Sequence, residues 1–231
     1  MKEADPSSEA ADEYNLLGQR IGSKGRGVRD RLLDAARLLM EATPTTIPTL
    51  TAITNAVDVR VSIVYRYYRD VGALLIDAMQ PLREEMAPTT ALLDKRWPAG
   101  NEYEHALAFA HAHFQYWNAR KGALFVRNSL AERGDVRFIN LRTQWALPLF
   151  HALAAKFADA HGRSEADCDL PMAGIVISGM ERTTTLSLQR IVLEADVVTP
   201  GSGRAPAQAA KQRVAVAQLI TTLLQHDYVQ R

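Results

Sequence analysis

The sequence contains a single cysteine, Cys168, among its 231 residues, so it cannot form an intramolecular disulfide. This excludes a disulfide-built secreted scaffold and a site of four thiolates. Aromatic residues make up only 7% of the chain, but hydrophobic residues make up 47%, which is ample for a packed core. No stretch reaches the roughly eighteen uninterrupted apolar residues of a membrane span. A chain that is disordered throughout and a membrane-spanning chain are therefore both excluded.

The chain begins with an acidic and polar segment, MKEADPSSEAADEYNLLG, whereas a signal peptide begins with cationic residues and continues with apolar ones. A single cysteine is also typical of a reducing compartment. Together these features predict a cytoplasmic protein that has no membrane partner.

The formal net charge of +1 hides an uneven distribution of charge. Residues 1–19 carry one basic and five acidic side chains and contain no apolar period, so they are predicted to be a disordered acidic tail. Residues 20–70 carry nine basic and five acidic side chains. Such a segment is typical of a compact phosphate-binding module, although the charge alone favours a solvated basic face.

Apolar residues recur with the period of a helix along most of the chain, and no segment alternates convincingly as a strand does. The fold class is therefore predicted to be all-α. A first helix starts at Val28, and Thr43, Pro44 and the threonine-rich run up to Pro48 end it. Its inward stripe is Val28, Leu32, Ala35, Ala36 and Leu39. Further helices are predicted at 71–86, 102–120, 122–132, 136–161, 169–195 and 206–228.

Prolines and glycines divide this helical pattern. Pro81 is expected to kink the helix at 71–86, Pro88 to end it, and Pro148 to bend the helix at 136–161. The run VVTPGSGRAP, which precedes the last helix, is predicted to be a mobile loop.

The stretch from Thr49 to Leu75 is the most informative. Its apolar residues predict two short helices, which Asp58 and Val59 separate. The inward residues are Leu50, Ile53 and Val57 in the first helix and Val61, Val64 and Tyr68 in the second. Because so short a connection forces the two helices to cross, they form a helix-turn-helix with the preceding helix. The residues expected to face solvent are Arg60, Ser62, Ile63, Tyr65, Arg66 and Tyr67.

At these positions the sequence resembles the tetracycline-repressor (TetR) family of transcriptional regulators. The family pattern, roughly T-V-x-x-I-A-x-x-A-G-V-S-x-G-T-L-Y-x-Y-F-x-x-K-E-x-L, lies over residues 49–74 without a gap. The matching positions are Thr49, Leu50, Ile53, Val59, Val64, Tyr65, Tyr67, Tyr68 and Leu74, preceded by Leu32, Ala35 and Ala36 in the first helix. The motif covers about the first third of the chain.

The resemblance implies a three-helix DNA-binding domain over 20–72 and a larger helical ligand-binding and dimerisation domain over 73–231. It further implies a homodimer that binds a palindromic operator in double-stranded DNA, and a repressor that a small-molecule effector releases. The helix at 71–86 is the expected connection between the two domains.

The sequence departs from the family pattern at four positions. Asp58 replaces the glycine of the turn, which is tolerable because aspartate enters the left-handed region more readily than most residues. Arg60 replaces the serine that caps the second short helix, and Val71 with Gly72 replaces a Lys-Glu pair. The missing lysine and the near-neutral total charge leave open an all-α ligand-binding or adaptor protein that has lost DNA binding.

Eleven residues are predicted to contact DNA. Those at the start of the second short helix are placed to read base edges, and Arg60 is the candidate for a bidentate contact with guanine. Tyr65, Tyr67, Thr49 and Arg69 are placed at phosphates, and a basic arm at the minor groove or backbone. The base-reading set is Arg60, Val61, Ser62 and Ile63, and the arm is Lys24, Arg26 and Arg29. For the tyrosines the alternative is core packing, which we favour for Tyr68, and for the arm it is a solvated tether.

Five residues on two later helices are predicted to line the effector site, because each helix combines aromatic residues with one polar residue on an inward stripe. They are His111, Phe114 and Trp117 on the first helix and Arg142 and Trp145 on the second. The alternative is an ordinary core in which the histidine is hydrogen-bonded and the stem of the arginine is buried.

No metal or cofactor site is predicted. His111 and His113 lie two residues apart on a helix, about 200° around its axis, and point in opposite directions. The sequence contains no glycine-rich phosphate loop and no recognisable pairing of a nucleophile with a base. The protein is therefore predicted not to be an enzyme, although a helical enzyme that uses His111 remains a rival.

The last two helices are predicted to form the dimer interface, with intramolecular packing as the alternative. Small residues permit close approach of helices in the first of them, and apolar residues form a face on the second. They are Gly174, Ser178 and Gly179, followed by Val214, Ala217 and Leu224.

Overall fold

The computed structural model describes residues 14–164, 169–195 and 204–226. Within these residues every regular element is a helix, so the predicted all-α class is confirmed. The helices are α1 Ser23–Ala42, α2 Leu50–Ala56, α3 Val61–Val64, α4 Val71–Met79, α5 Pro81–Glu85, α6 Ala87–Asp94, α7 Glu102–Ala119, α8 Lys121–Glu132, α9 Val136–Ala160, α10 Leu170–Ala195 and α11 Arg204–Gln225. No helix in this part of the chain combines the length and the hydropathy that crossing a bilayer requires.

The described residues fall into two compact units. Unit 1 contains residues 14–39 and 48–78, which include most of α1, all of α2 and α3, and α4 up to Ala78. Unit 2 contains residues 40–47 and the described residues from 79 onwards.

The core of unit 1 forms around α1. Leu32, Ala35 and Ala36 are buried, as the sequence predicts, whereas Val28 and Leu39 are only half-buried. The helix begins at Ser23 rather than at Val28. The predicted basic arm is therefore wrong in its conformation, because Lys24 and Arg26 lie in the first turn of a helix.

The segment just before α1 also differs from the prediction. Residues 1–13 of the predicted disordered tail lie outside the described residues, but residues 14–20 form an ordered turn. The Asn15 side chain accepts hydrogen bonds from the N–H groups of Leu17 and Gln19, each at 2.9 Å, and Gly18 adopts a φ of 72°. The Leu16 N–H also donates to the carbonyl oxygen of Arg66 at 2.8 Å. An asparagine that bonds its own backbone and a glycine in the left-handed region explain the turn.

The connection between α2 and α3 follows the sequence pattern closely. Thr49 caps α2, and its hydroxyl oxygen accepts a hydrogen bond from the N–H of Ala52 at 3.1 Å. Asp58 adopts a φ of 51°, which is the left-handed conformation expected where the motif has glycine. Ile53, Val64 and Tyr68 are buried between the elements, whereas Val61 is exposed, against the prediction that it faces inward.

The segment after unit 1 contains two helix starts where the sequence predicts a kink and a stop. A single helix over 71–86 is wrong: α4 ends at Met79, and α5 begins at Pro81. Pro88 does not end a helix but lies in the first turn of α6, which the sequence did not predict. Both prolines lie in the first turn of a helix, where a backbone N–H would have no partner within the helix. Proline lacks this N–H and is therefore tolerated best there.

Unit 2 contains the remaining helices within a few residues of their predicted bounds. Pro148 lies inside α9, as expected. The predicted mobile loop lies mainly outside the described residues, and α11 begins at Arg204 within its last three residues. Helix α11 packs along α7, and α9 packs against α8 and α10.

A close approach fixes the start of α8 within unit 2. The N–H groups of Gly122 and Ala123 donate to the Glu41 carboxylate at 3.3 and 3.2 Å. A Cβ atom at Gly122 would overlap the carbonyl oxygen of Met40, so this position requires a glycine. Glu41 thereby satisfies amides that the first turn of a helix leaves unpaired.

Candidate nucleic-acid interface and buried polar cluster

The first candidate site is the exposed side of α3 and the residues that follow it in unit 1. Its side chains combine three guanidinium groups with hydroxyls, and Tyr65 is 53% exposed. We call this surface the α3 face; it consists of Arg60, Val61, Ser62, Tyr65, Arg66 and Arg69, all exposed. Arg60 precedes α3 and makes no side-chain cap hydrogen bond. The guanidinium of Arg60 therefore makes no capping contact with α3.

Two predicted contact residues are less accessible than the rest. Ile63 and Tyr67 are half-buried. The hydroxyl of Tyr67 lies against the start of α1, where a Cβ atom at Gly25 would be 3.2 Å from it. Gly25 thus leaves room for the Tyr67 hydroxyl. Part of the Tyr67 side chain packs in the core, and the rest is accessible for a surface contact.

The starts of α1 and α2 carry further predicted residues. Lys24 and Arg26 are exposed in the first turn of α1, and Arg26 donates from Nη1 to the carbonyl oxygen of Ile21 at 3.1 Å. Thr49 is exposed, and its hydroxyl oxygen already accepts from the N–H of Ala52. In the described residues, the Thr49 hydroxyl hydrogen donates no hydrogen bond.

Arg29 departs from the prediction. Its Nη2 lies 2.8 Å from Oδ2 of Asp77, and its Nε donates to the Tyr68 hydroxyl at 3.1 Å. Burial, followed by the hydrogen bond to Asp77, raises the pKa of Tyr68 above its ordinary value, so the hydroxyl stays protonated. Arg29 is a structural residue of unit 1, and the predicted core position of Tyr68 is confirmed.

The second candidate site lies inside unit 2. On α7 it contains His113 in place of the predicted effector residue His111. His111 is exposed, whereas His113 is fully buried, so the prediction of an inward His111 is wrong. The two histidines do point in opposite directions, as their spacing predicts. The buried stripe of α7 passes through Ala106, Ala110, His113 and Trp117.

The side chain of Arg127 on α8 contacts residues of three other helices. The guanidinium carbon of Arg127 on α8 lies 5.6 Å from the centroid of the Trp117 ring and 5.2 Å from that of Trp145 on α9. Arg127 is 1% exposed, donates from Nε to Oδ1 of Asn128 at 3.0 Å, and places Nη2 3.4 Å from both carboxylate oxygens of Glu181 on α10. We call this group the buried polar cluster: His113, Trp117, Arg127, Asn128, Trp145 and Glu181.

Three polar atoms of the buried polar cluster have no hydrogen-bond partner: Nδ1 and Nε2 of His113, and Nε1 of Trp117. Burial, with a smaller contribution from the charge of Arg127, lowers the pKa of His113 to about 3. The imidazole is therefore neutral at physiological pH and offers one donor and one acceptor.

The other predicted effector residues are distributed unevenly. Phe114 and Trp145 are buried, and the rings of Phe114 and His113 meet edge to face at 6.1 Å. Arg142 is only half-buried, and no described contact joins it to the cluster. The sequence analysis missed Arg127 and Glu181, although a signal existed: Arg127 shares a helical stripe with Ala123, Leu124 and Ala131.

The surfaces of α10 and α11 carry exposed apolar side chains. Ile175 is 66% exposed and Leu186 is 47% exposed, and both lie on the same side of α10 as Gly179, where an added Cβ atom would meet nothing within 4 Å. Val214 and Leu219 are exposed on α11. Ala217 and Leu224, predicted for the dimer face, are instead buried within unit 2, and Gly174 lies against Phe150.

No protein-family model matches the chain, and a search of curated proteins returns no significant match.

Proposed function

We propose that the protein is a sequence-specific DNA-binding regulator of transcription that acts in the cytoplasm as a TetR-type repressor. The observation that carries the proposal is the left-handed turn at Asp58, which joins a capped α2 to α3 while Ile53, Val64 and Tyr68 are buried beneath them. This arrangement leaves the α3 face, with its three guanidinium groups, free of the core. A pair of crossed helices with one exposed basic face is typical of proteins that insert a helix into the major groove.

The residues of the proposed interface fall into two groups, base-edge contacts near the start of α3 and phosphate contacts further from it. Arg60 and Ser62 are the readers of base edges, because the first residues of an inserted helix approach the bases. Arg66, Arg69 and Tyr65 are phosphate contacts that position the helix. Lys24 and Arg26 add charge from the first turn of α1, while Arg29 is left out because Asp77 neutralises it.

A homodimer follows from the requirements of such an interface, since a single four-residue helix reads few base pairs. The exposed Ile175 and Leu186 on one side of α10, with Val214 exposed on α11, support a two-fold pairing of these helices in unit 2. The dimer then binds a palindromic operator. A small-molecule effector that binds unit 2 is proposed to release the DNA by favouring a conformation with the wrong spacing between reading helices.

Selection of bound fragments from genomic DNA by the full-length protein tests the proposal, followed by gel shifts on the recovered sites. We expect the sites to share a roughly palindromic sequence, and retention to weaken steeply as salt rises. Arg66→Gln should weaken retention, whereas the matched control Arg133→Gln, an exposed arginine of unit 2, should not. A failure to enrich any shared sequence would instead favour the adaptor protein that has lost DNA binding.

A further inference from the structure

We propose that the buried polar cluster binds an uncharged small molecule with an apolar, planar body and a group that both donates and accepts hydrogen bonds, such as an aromatic amide. This inference rests on the proposed function, because it gives the chemical class of the effector. It concerns His113, Trp117, Arg127 and Glu181, of which the sequence pattern had assigned only Trp117 to an effector site.

Three buried polar atoms of the cluster have no partner. The neutral His113 ring has one N–H donor and one acceptor nitrogen without a partner, and the Trp117 ring has one N–H donor without a partner. Leaving such groups buried and unpaired costs roughly 1 to 3 kcal/mol for each group. The two nitrogens of His113 point to different edges of its ring, so one ligand group can pair with only one of them. A group that donates to the acceptor nitrogen of His113 and accepts from the Trp117 N–H pairs two of the three atoms, and an amide or hydroxy-carbonyl group does both.

The charges of the buried polar cluster favour an uncharged ligand. The guanidinium of Arg127 already lies 3.4 Å from both carboxylate oxygens of Glu181 and is bonded to Asn128, so the cation and the anion of the cluster balance each other. His113 contributes no charge at physiological pH. A carboxylate ligand would have to displace Glu181, and an ammonium ligand would face Arg127, so an ionised ligand leaves one buried charge without a partner.

Aromatic rings surround His113. The rings of Phe109 and Phe114 lie with their centroids 6.1 Å from that of His113, and the Trp117 ring lies 6.4 Å from it. Arg127 holds its guanidinium over Trp117 and Trp145. The aromatic rings around His113 favour a planar apolar body as the ligand, as in other sites that combine apolar walls with a few polar groups.

The test uses the purified full-length protein, without DNA, in thermal melting and calorimetric titration. The probes are benzamide and 2-naphthamide, matched with the anions benzoate and 2-naphthoate. We expect at least one amide to raise the melting temperature and neither anion to do so. Trp117→Phe, which keeps a ring and removes the N–H donor, should weaken amide binding about tenfold.

The matched pair His113→Phe and His111→Phe separates a ligand site from an ordinary core. His113→Phe should raise the melting temperature of the free protein, because it removes two unpaired buried nitrogens, and should abolish amide binding. His111→Phe, at the exposed histidine of the same helix, should leave amide binding unchanged. Should His113→Phe fail to fold, Trp117→Phe carries the same comparison.

The proposal is overturned if neither amide binds, if the anions bind as tightly as the amides, or if Trp117→Phe and His113→Phe bind as the wild type does. In each case ordered water is the simpler partner of these atoms. Gel shifts with ligand-free protein report on DNA binding alone, so failure of the ligand proposal and failure of the proposed function are distinguishable.

Discussion

The hydroxyl of Tyr68 donates a 2.6 Å hydrogen bond to Oδ2 of Asp77, and Nη2 of Arg29 lies 2.8 Å from the same oxygen. Tyr68 follows α3, Asp77 lies on α4 and Arg29 on α1, so a single carboxylate oxygen joins three parts of unit 1. The position of the segment that follows α3 therefore depends on a residue of α4, nine residues further along the chain.

Tyr68→Phe is expected to reduce the free energy of unfolding by roughly 1 to 3 kcal/mol, because it removes a hydrogen bond to a charged group and leaves Asp77 with one donor fewer. Urea unfolding measures the change. Tyr65→Phe, which removes an exposed hydroxyl from the same segment, should alter stability by much less. Equal effects of the two variants would show that the bond to Asp77 contributes little.

Gly122→Ala is expected to destabilise the protein by about 1 to 3 kcal/mol or more, since the new methyl group would overlap the Met40 carbonyl oxygen. It should also lengthen the hydrogen bonds that Glu41 accepts at the start of α8. Gly27→Ala is the control: a Cβ atom there meets nothing within 4 Å, so the better helix former should stabilise α1 by up to about 1 kcal/mol. Thermal unfolding of both variants compares them, and a tolerated Gly122→Ala would contradict the close approach.

Local patterns in the sequence predict unit 1 well because short-range chemistry determines it. Thr49 caps its own helix, and Asp58 adopts the left-handed turn that the motif requires. Long-range contacts could not be predicted in the same way. The three basic residues Lys24, Arg26 and Arg29, close together in the sequence, indicate an arm. The partner of Arg29, however, is Asp77, which lies 48 residues away, and no periodicity reveals such a pairing.

The effector site was predicted less accurately because α7 is apolar on most of its circumference. Helices α6, α8, α10 and α11 all pack against it, so burial covers all but one stripe of the helix, which passes through Glu104, Ala108, His111, Gln115 and Asn118. The pattern consequently selected His111, whereas His113 is buried. The helix end predicted at Pro88 was wrong for a different reason. Proline is compatible with both the end and the first turn of a helix, and only the packing of Thr89 and Leu93 decides between them.

The stability of the wild type should fall as the pH decreases below about 6.5. His113 has a folded-state pKa of about 3, so between these values the unfolded chain binds a proton that the folded protein does not. The expected slope is about 1.4 kcal/mol per pH unit from this group, and the buried charges near it are those of Arg127 and Glu181. Urea unfolding at about pH 7 and about pH 5 should show a smaller pH dependence for His113→Phe than for His111→Phe. Identical pH dependence in the two variants would mean that His113 is protonated in the folded protein.

Ile175→Arg is expected to shift the protein from dimer to monomer, because it places a charge at an exposed apolar residue of α10 that the proposed interface buries. Sedimentation velocity across a range of protein concentrations measures the association. Val136→Arg is the control, since Val136 is an equally exposed apolar residue at the start of α9. If both variants remain dimeric, the copies associate through another surface, and if the wild type is a monomer there is no such interface.

Arg60→Ala and Arg69→Ala should affect DNA binding in different ways. Arg60 precedes α3 with its side chain uncommitted to the helix cap, so its loss is expected to relax sequence preference at one base pair in each half-site, at a cost of roughly 1 to 3 kcal/mol. Arg69 lies beyond the helix at an exposed position, so its loss should weaken binding to all sequences alike and reduce the salt dependence. Binding measurements on a recovered site and on each of its single-base variants, at two salt concentrations, separate these effects. If both substitutions weaken all sequences equally, Arg60 contacts phosphate and the reading of bases must come from other residues of the α3 face.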